Sequence, residues 1–493
     1  MQQQQQQLEW HKHYRFADSV VAPNRPFDGS HLPKGSAAAV IVAPANIGTS
    51  TVLYFTGKLP KEPIQGLRIT FAVHVREEVE LEAFLYESGE RLGLFDVRYA
   101  YAKQMFEIPV TPDGGERIFR EGVGLRMIKG TEDVWLLCGE GEDCAVFSPH
   151  LLLAPAHATN RLALFTYHLQ SQACYHRSGW MEGCVLDGLY DMYRFTKDTH
   201  YLLAVEQHLK LFVDDNKEIE EPTGPRVKNG KIVADVIEQT LPYAVLAKIQ
   251  PDHPVIDSLI AYWLDYQRAD GSIYDRETDT ITGEGVYTVG YPIAAIAAAR
   301  GRDDLAELAL MQLWSRKERL VTERGIYLRA DAENHCSYLN WARALAWYLL
   351  GAARMLIELK AWNDNKPSTL YQQAAAEFVR SAGFAASLQQ ENGLWTVFAD
   401  DSSTGTEAGG SAGIAAAMVL GAREGLLEVS YLIRGERAWI ALQEYLTIDG
   451  FIRGVSQTNQ GGEELQRSGY RVMFQMGMGL LAQLGAALNK PCN

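Results

Sequence analysis

One octapeptide combines the residue types best suited to binding a charged sugar. Asn340-Trp341-Ala342-Arg343-Ala344-Leu345-Ala346-Trp347 opens a long apolar segment with helical spacing. Trp341 and Arg343 fall near the predicted N-terminal end of this helix, where free backbone N–H groups and the helix dipole favour an anionic ligand. Trp347 follows about one and a half turns later, roughly on the side of Arg343. An indole beside a guanidinium suits a sugar ring that carries a carboxylate. Equally, both tryptophans could be core residues and Arg343 could pair with a structural carboxylate.

Three glutamates could supply the carboxyl groups that cleave a glycosidic bond. Such cleavage needs one group that donates a proton and a second that activates water or attacks the sugar. Glu284, Glu238 and Glu407 each lie where a helix is predicted to begin. We assign Glu284 and Glu238 as general acid and base (or nucleophile), with Glu407 as a reserve carboxylate. Capping and the helix dipole also favour acidic residues there, so capping is the simpler interpretation of any single one.

Residues around other predicted helix starts complete the candidate sugar site. Arg343 is predicted to bind the substrate carboxylate, because its fork of N–H donors matches a carboxylate bidentately; Arg329 or Arg471 is predicted to assist it. The predicted sugar-stacking residues are Trp341, Trp347, Trp180 and Trp395. The predicted hydrogen-bonding or proton-relay residues are Asn340, Tyr287 and His335. A cap, a core ring or a solvated face is the alternative for each.

Composition narrows the classes of partner. The 493-residue chain has a formal net charge of -15, which argues against nucleic acid or an anionic membrane surface as its main partner. An acidic oligosaccharide or polysaccharide remains compatible, because one local arginine can bind a carboxylate. No metal-ligand spacing or nucleotide motif is apparent, so we predict no metal and no cofactor. A homodimer is also predicted, without a specific sequence feature behind it.

The six cysteines and the N-terminus bear on the compartment. The cysteines are sparse and form no Cys-x-x-Cys pair, which is typical of free thiols in a reducing compartment. Met1 and the glutamine run that follows have no basic and apolar regions of a signal peptide. We therefore predict a cytoplasmic protein, with a trimmed secretory signal as the alternative.

The chain divides near Pro155. Before it, short runs rich in β-branched and aromatic residues alternate with Gly, Pro and charged turns, which predicts an antiparallel β-sandwich domain over residues 1–155, with residues 1–10 as a disordered tail. After it, apolar residues recur at helical spacing in about twelve segments, and Gly- and Ala-rich helices alternate with charged ones. Small apolar helices belong inside and charged ones outside. The pattern predicts an (α/α)6 toroid over residues 156–493, with its pocket where the inner helices begin.

The ordered motifs of the second part resemble a known group of enzymes. Asn340-Trp-Ala-Arg-Ala-Leu-Ala-Trp347 is similar to the Trp-Ala/Gly-Arg-Gly-x-x-Trp signature of glycoside hydrolase families 88 and 105, the unsaturated uronyl hydrolases. Asn392-Gly-Leu-Trp395 followed by Glu407-Ala-Gly-Gly-Ser-Ala412 resembles their Gly-Leu-Trp and Glu-Thr-Ser-Gly-Thr-Ala motifs. Trp180-x-x-Gly183 and Phe474 to Ala482 resemble the first hairpin and the closing helix. The resemblance implies an (α/α)6 barrel that acts on a terminal uronic acid.

Two departures from that group change the expected reaction. Its acid/base, an aspartate at the start of the third inner helix, aligns with Gly285, and Glu284 lies beside it. Its second-helix aspartate has Glu238 as the nearest carboxylate. The two-part layout resembles glycoside hydrolase family 154, whose members remove saturated β-glucuronic acid. We therefore expect an exo-acting β-glucuronidase. The alternatives are an unsaturated glucuronyl or rhamnogalacturonyl hydrolase, a uronate polysaccharide lyase, or a non-catalytic sugar-binding protein.

Overall fold

The computed structural model describes residues 11–27, 32, 36–44, 50–139, 142–154, 160–176, 178–213, 226–228, 231–233, 237–275 and 278–490. Strands dominate up to Leu153, and helices dominate from Arg161. We refer to these parts as the β region and the helical region. The predicted tail at residues 1–10 lies outside the described residues.

The β region consists mainly of antiparallel sheets. Its strands are β1 Tyr14–Phe16, β2 Ser19–Val21, β3 Ser36–Ile41, β4 Thr51–Tyr54, β5 Ile64–Thr70, β6 Glu78–Leu85, β7 Arg91–Arg98, β8 Met105–Pro109, β9 Val123–Lys129, β10 Val134–Gly139 and β11 His150–Leu153. One sheet has the order β1-β11-β5-β8, a second has β2-β4-β9-β6-β7, and β10 pairs with β3. The helix Pro112–Glu121 precedes β9.

Alternating burial explains why these segments form strands. In β6, Val79, Leu81 and Ala83 are fully buried, whereas the glutamates between them face outward. Successive side chains of a strand point to opposite faces, so one face enters the core and the other meets solvent. Both main sheets contribute residues to one buried core, which continues into the helical region.

The helical region contains a closed ring of inner helices. Neighbours contact each other in chain order, and the last contacts the first. The inner helices are Trp180–Thr196, Pro242–Ile249, Tyr291–Arg300, Ala342–Asn365, Ala408–Arg423 and Gln475–Ala487. The outer helices are Arg161–Leu169, Thr199–Leu209, Val255–Tyr266, Asp303–Leu320, Thr369–Ser387 and Ser430–Leu442. The described residues thus form the predicted six-plus-six arrangement.

Short elements connect these helices near the ends at which the inner helices begin. They are the strands Arg226–Lys228, Lys231–Val233, Ile281–Thr282, Val321–Thr322, Gly325–Ile326, Arg329–Ala330 and Cys336–Ser337, and the helix Gly462–Arg467. Single helical turns cover Ile237–Thr240 and Val286–Gly290, each directly before an inner helix.

Small residues let the inner helices approach closely. A Cβ atom added to Gly188 would lie 2.5 Å from the carbonyl oxygen of Gly479, and one added to Gly479 would meet the backbone of Cys184. The first and last inner helices therefore pack backbone against backbone. This explains the Gly- and Ala-rich composition from which their inner position was predicted.

Two helix starts differ from the prediction. The inner helix containing Arg343 begins at Ala342, since Tyr338 and Asn340 have φ angles of 59° and 55°, which a right-handed helix does not accommodate. The last inner helix begins at Gln475 rather than near Arg471, because Val472 instead forms a β-bridge with Val455. Among the described residues, no helix combines the length and apolarity needed to cross a membrane.

One set of buried charged and polar groups inside the ring is connected by hydrogen bonds and ion pairs. The guanidinium of Arg354 bonds to Asp191 and donates to Gln483 at 2.9 Å. Asp187 accepts hydrogen bonds from the hydroxyls of Tyr287 at 2.5 Å and Tyr291 at 2.8 Å. We call these six residues the inner cluster.

A buried polar contact joins the two regions. Asp449 of the helical region accepts hydrogen bonds from Tyr14 at 2.5 Å and from Arg68 at 2.5 Å. Arg68 also pairs with Glu107 at 2.8 Å. Burial opposes ionisation of Asp449, but the neighbouring Arg68 charge dominates and holds the pKa of that carboxyl far below its ordinary value. The β region is thereby fixed against the ring.

Candidate active site

Arg343 lies at the start of its inner helix in an aromatic frame. It is 2% exposed, and its guanidinium carbon lies 4.6 Å from the ring centroid of Trp341, 5.6 Å from Trp180 and 5.8 Å from Phe474. Trp180 meets Trp347 edge to face, with centroids 5.8 Å apart. We call Trp180, Trp341, Arg343, Trp347 and Phe474 the mouth cluster. Four of these five residues are among those predicted from sequence to meet at a sugar site.

The hydrogen bonds of Arg343 leave its charge incompletely balanced. One terminal nitrogen donates to the carbonyl oxygens of Ser456 at 2.7 Å and Gln457 at 3.3 Å. Its Nε has no acceptor among the described residues, and no carboxylate described here forms an ion pair with it. Burial lowers the pKa of Arg343, while the more distant charges of Glu407 and Glu284 act in the opposite direction. A ligand carboxylate would supply the missing countercharge.

Two tryptophans of the mouth cluster also offer unused donors. The indole N–H groups of Trp341 and Trp347 are buried and have no acceptor among the described residues. Buried donors are normally hydrogen-bonded, and leaving one unmet costs about 1–3 kcal/mol. Donors that await an acceptor beside an unbalanced arginine are typical of a site for an oxygen-rich ligand.

Glu284 lies at the edge of an adjoining cleft. The cleft is lined by Trp180, Cys184, Leu241, Glu284, Tyr287, Thr288 and Trp347. These side chains lie too close together to leave room for a water molecule between them, so a sugar can enter only if they move apart. The half-buried Glu284 follows the strand Ile281–Thr282, and its carbonyl oxygen accepts from the N–H groups of Tyr287 and Thr288. The turn before the third inner helix therefore places this carboxylate at the cleft.

Gly285 leaves no space for a side chain. A Cβ atom there would lie 2.1 Å from a guanidinium nitrogen of Arg316. Arg316 is buried and donates to the carbonyl oxygens of Thr282 at 2.9 Å and Ile273 at 2.8 Å. Gly285 therefore stands where the resembling enzymes have their aspartate, and the side chain of Arg316 fills the space that the aspartate side chain would need. Glu284, one position earlier, is the carboxylate that this turn presents.

Glu407 supports the site from outside the cleft. Its side chain accepts from the Gly410 N–H as the N-cap of the inner helix Ala408–Arg423. The other carboxylate oxygen accepts from the Ser456 N–H at 2.8 Å and the Ser456 hydroxyl at 3.1 Å. Glu407 is fully buried and does not line the cleft. It instead caps a helix, which was the alternative interpretation of this residue, and it fixes the segment whose carbonyl oxygens bind Arg343.

Three other predicted site residues are engaged by the protein itself. Trp395 is buried and its indole donates to the Ala385 carbonyl at 2.7 Å. Arg471 donates to backbone carbonyls, including that of Thr406 at 3.1 Å. The side chain of Asn340 accepts from Ile326 N–H at 3.1 Å and donates to Asp400 at 2.9 Å. None of the three lines the cleft.

The remaining predicted residues have three different positions. Tyr287 lines the cleft, but its hydroxyl donates a hydrogen bond to Asp187 of the inner cluster. Arg329 is half-buried on a neighbouring hairpin, with its guanidinium carbon 5.2 Å from the Tyr338 ring centroid. The His335 side chain is 80% exposed on the same hairpin and pairs with Asp331 at 3.2 Å. The side chain of Glu238 lies outside the described residues.

An exposed acidic cluster surrounds His335. Asp331, Glu333 and His335 each place one ligand-type atom within 4.8 Å of the others. Such clusters are common without an ion, and these side chains are largely solvated. We assign no metal to it.

Sequence reasoning missed several residues that border the site. Phe474 was recognised only as part of a helix motif, although it directly precedes the last inner helix. Cys184 lies one turn into the first inner helix, and Thr288 lies in the single turn before the third, so their closeness to predicted helix starts could have identified them. Tyr101 comes from the β region, and its ring stacks on Phe474 with centroids 6.1 Å apart. No periodicity within the β region indicates that contact.

Comparisons with known proteins identify the family and support the fold. The model of Glycosyl Hydrolase Family 88 matches residues 160–486, which is more than half of the chain. The chain therefore belongs to Glycosyl Hydrolase Family 88. A comparison of the sequence with curated proteins found no match. The described strands β1 to β11 lie before the matched segment.

Solved structures share the fold at low sequence identity. A structure from Salmonella enterica described as a possible member of the GH105 family is 16% identical, with a TM-score of 0.56 over 69% of this chain and 96% of that chain. A family 105 glycoside hydrolase from C. acetobutylicum is 18% identical, with a TM-score of 0.56 over 67% and 99%. A family 88 glycosyl hydrolase from Bacteroides vulgatus is 17% identical, with a TM-score of 0.50 over 67% and 97%. These likenesses support the toroid fold.

The family match corrects the expected reaction. A glycoside-acting enzyme is supported, and so is a uronide-containing oligosaccharide as its kind of substrate. The exo-acting β-glucuronidase that we expected from the two-part layout is not supported. The alternative, an unsaturated uronyl hydrolase, fits the family better.

Proposed function

We propose that this protein removes a terminal 4,5-unsaturated uronic acid from an oligosaccharide. The observation that carries the proposal is Arg343, a buried guanidinium that lacks a carboxylate partner among the described residues and lies within an aromatic frame. The uronate carboxylate would bind there, because it supplies the charge and the lone pairs that the site lacks. Trp180, Trp341 and Trp347 would contact the ring.

Glu284 is the proposed acid/base. Hydration of the double bond needs a proton at one carbon and water at the other, after which the unstable product opens and releases the remaining saccharide. One carboxyl group can perform both steps if it gives a proton to the sugar and accepts one from water. Glu284 is the carboxylate among the residues that line the cleft.

Hydrolysis of a saturated β-glucuronide is the second candidate. It is favoured by one observation, the replacement of the expected aspartate by Gly285 against Arg316. A displaced carboxylate changes which sugar atom can be protonated. Under this candidate Glu284 would protonate the glycosidic oxygen, and a second carboxylate would be required.

Two substrates distinguish these candidates. The protein is incubated with a 4,5-unsaturated uronyl disaccharide and, in parallel, with a chromogenic β-D-glucuronide. Loss of the ultraviolet absorbance of the conjugated double bond, without chromophore release, supports the first candidate. Chromophore release alone supports the second. Glu284→Gln should abolish whichever activity is found, whereas Glu333→Gln, an exposed glutamate on the nearby hairpin, should leave it unchanged.

We also propose that the chain consists of two domains. We treat residues 1–155 and 156–493 as two domains, since the family match and the ring of helices both lie in the second. Dimerisation and a cytoplasmic location remain predictions. Size-exclusion chromatography with light scattering tests the first of these.

A further inference from the structure

The β region reaches the mouth cluster through one loop. Residues 99–104, which we call the mouth loop, connect β7 to β8. The Tyr101 ring in this loop is 6% exposed and stacks on Phe474 with an interplanar angle of 27°. It also meets the His176 ring edge to face, with centroids 6.3 Å apart. Phe474 in turn contacts Trp180 and Arg343, so the loop adjoins the proposed sugar site.

Hydrogen bonds within the β region fix the conformation of the mouth loop. Lys103 N–H donates to the Phe71 carbonyl at 2.7 Å, and Val75 N–H donates to the Ala100 carbonyl at 2.9 Å. The Gln104 side chain accepts from Tyr101 N–H at 3.1 Å. A loop held in this way is preorganised for binding, because little conformational freedom is lost when a ligand arrives.

A second set of bonds links the mouth loop to Arg343. The Gln457 side chain donates to Gln104 Oε1 at 3.0 Å and to the Arg98 carbonyl at 2.9 Å. The Gln457 carbonyl oxygen in turn accepts from Arg343. Gln104 also donates to the Met473 carbonyl at 3.3 Å, next to Phe474. One glutamine of the β region therefore braces both the segment that binds the arginine and the residue that packs against it.

We propose that the mouth loop completes the substrate site, with Tyr101 as a specificity-determining wall and Gln104 as a positioning residue for Arg343. This inference rests on the proposed function and extends it, because the family match begins at residue 160 and assigns nothing to the β region. Tyr101 packs on Phe474, whose ring centroid lies 5.8 Å from the guanidinium carbon of Arg343, so the wall adjoins the group that would bind the carboxylate.

The test distinguishes weaker binding of the uronate carboxylate from a general loss of protein stability. KM and kcat are measured for the unsaturated uronyl disaccharide and for its methyl ester, which lacks the charge. Gln104→Met and Tyr101→Ala should each raise KM for the acid about tenfold with little change in kcat, the signature of lost ground-state binding. KM for the ester should change far less. A structural defect would affect both substrates alike.

Tyr14→Phe is the matched control. Tyr14 is also 6% exposed and also bridges the two regions, but it bonds to Asp449 rather than to the mouth cluster. We expect it to lower the melting temperature without changing the preference for the acid. If Tyr101→Ala does not fold, Gln104→Met and Tyr101→Phe decide the question.

The outcomes distinguish the inference from the function on which it rests. Acid-selective KM increases in the mouth-loop variants, absent from Tyr14→Phe, support both. An active wild type whose mouth-loop variants match Tyr14→Phe overturns the inference and leaves the function intact. A wild type that neither turns over nor binds the disaccharide in calorimetry overturns both.

Discussion

Two arginines on one inner helix have opposite surroundings. Arg343 and Arg354 both belong to the helix Ala342–Asn365 and are 2% and 5% exposed. Arg354 pairs with Asp191 and lies 3.9 Å from Asp187. Burial alone would lower its pKa, but these carboxylates raise it well above the ordinary value. Burial lowers the pKa of Arg343, which has carbonyl oxygens and aromatic rings instead.

The contrast distinguishes a structural arginine from a ligand-binding arginine within one helix. The Nε of both side chains lacks an acceptor among the described residues, so the difference lies in the carboxylates. A buried arginine that is paired with a carboxylate can be explained by structure alone. A buried arginine without a carboxylate lowers the free energy of unfolding, because its desolvation is not compensated. We infer that this cost persists at the mouth because the substrate supplies the second charge.

The largest effect on activity is expected from substitution of Glu284. Glu284→Gln removes the proposed acid/base, so kcat should fall by about 10²- to 10⁴-fold while the melting temperature changes little. Steady-state kinetics and thermal unfolding measure the two quantities. Retained activity in Glu284→Gln would exclude it as the acid/base.

The arginine pair tests the comparison itself. Arg354→Met leaves Asp187 and Asp191 uncompensated, so the free energy of unfolding should fall by about 3–5 kcal/mol. Arg343→Met leaves no paired carboxylate behind, so stability should hold or rise while KM for the uronide increases about tenfold or more. Denaturant unfolding and kinetics on both variants check this. Equal destabilisation by the two substitutions would make Arg343 a structural residue.

Acid should weaken the joint between the regions. Burial, followed by the nearby Arg68 charge, lowers the pKa of His168 to about 4, from an ordinary value of 6.5. The unfolded chain therefore binds this proton first as the pH falls below 6.5. The contribution of His168 to stability should be constant above that pH and decline by about 3 kcal/mol between pH 6.5 and 4, and burial of the neighbouring His150, which lowers its pKa to about 3, should add to the decline.

Denaturant unfolding across this pH range measures the decline. His168→Phe keeps a ring against Phe451, whose centroid lies 4.3 Å from that of His168, and should make the decline less steep, with the contribution of His150 remaining. An unchanged slope in His168→Phe would contradict the assignment.

The smallest contrast concerns two tryptophans. Trp395→Phe removes the donor to the buried Ala385 carbonyl, which should cost about 1–3 kcal/mol of stability. Trp341→Phe removes a donor that has no acceptor among the described residues, so it should cost less stability than Trp395→Phe, while KM should rise a few-fold. Thermal unfolding and kinetics on both proteins decide the matter. A stability loss in Trp341→Phe as large as that in Trp395→Phe would indicate a core role.

The sequence was informative where a pattern repeats. Helical spacing and Gly- and Ala-rich composition predicted the inner and outer helices, because burial imposes both along the chain. Inner helices that begin at one end bring Trp180, Glu284 and Arg343 together. Helix order alone therefore predicted that these residues, far apart in sequence, lie close to one another.

Individual side-chain directions were less predictable. Glu407 and Trp395 share the helix-start neighbourhood, yet hydrogen bonds to Gly410 and Ala385 turn them into the protein. Gly285 looked like a lost catalytic residue, and only the tertiary structure shows Arg316 in its place. Tyr101 required the position of a second region, which no local pattern contains.

Calorimetric binding most directly tests the claim that Arg343 awaits a uronate. Glu284→Gln protein, which should bind without turnover, is titrated with the unsaturated uronyl disaccharide, alone and combined with Arg343→Met or with Arg68→Lys, a control at a buried arginine that pairs with Asp449 where the two regions meet. We predict that Arg343→Met weakens binding at least about tenfold, equivalent to about 1.4 kcal/mol, and that the folded control does not. Equal affinity with and without Arg343 would contradict the account.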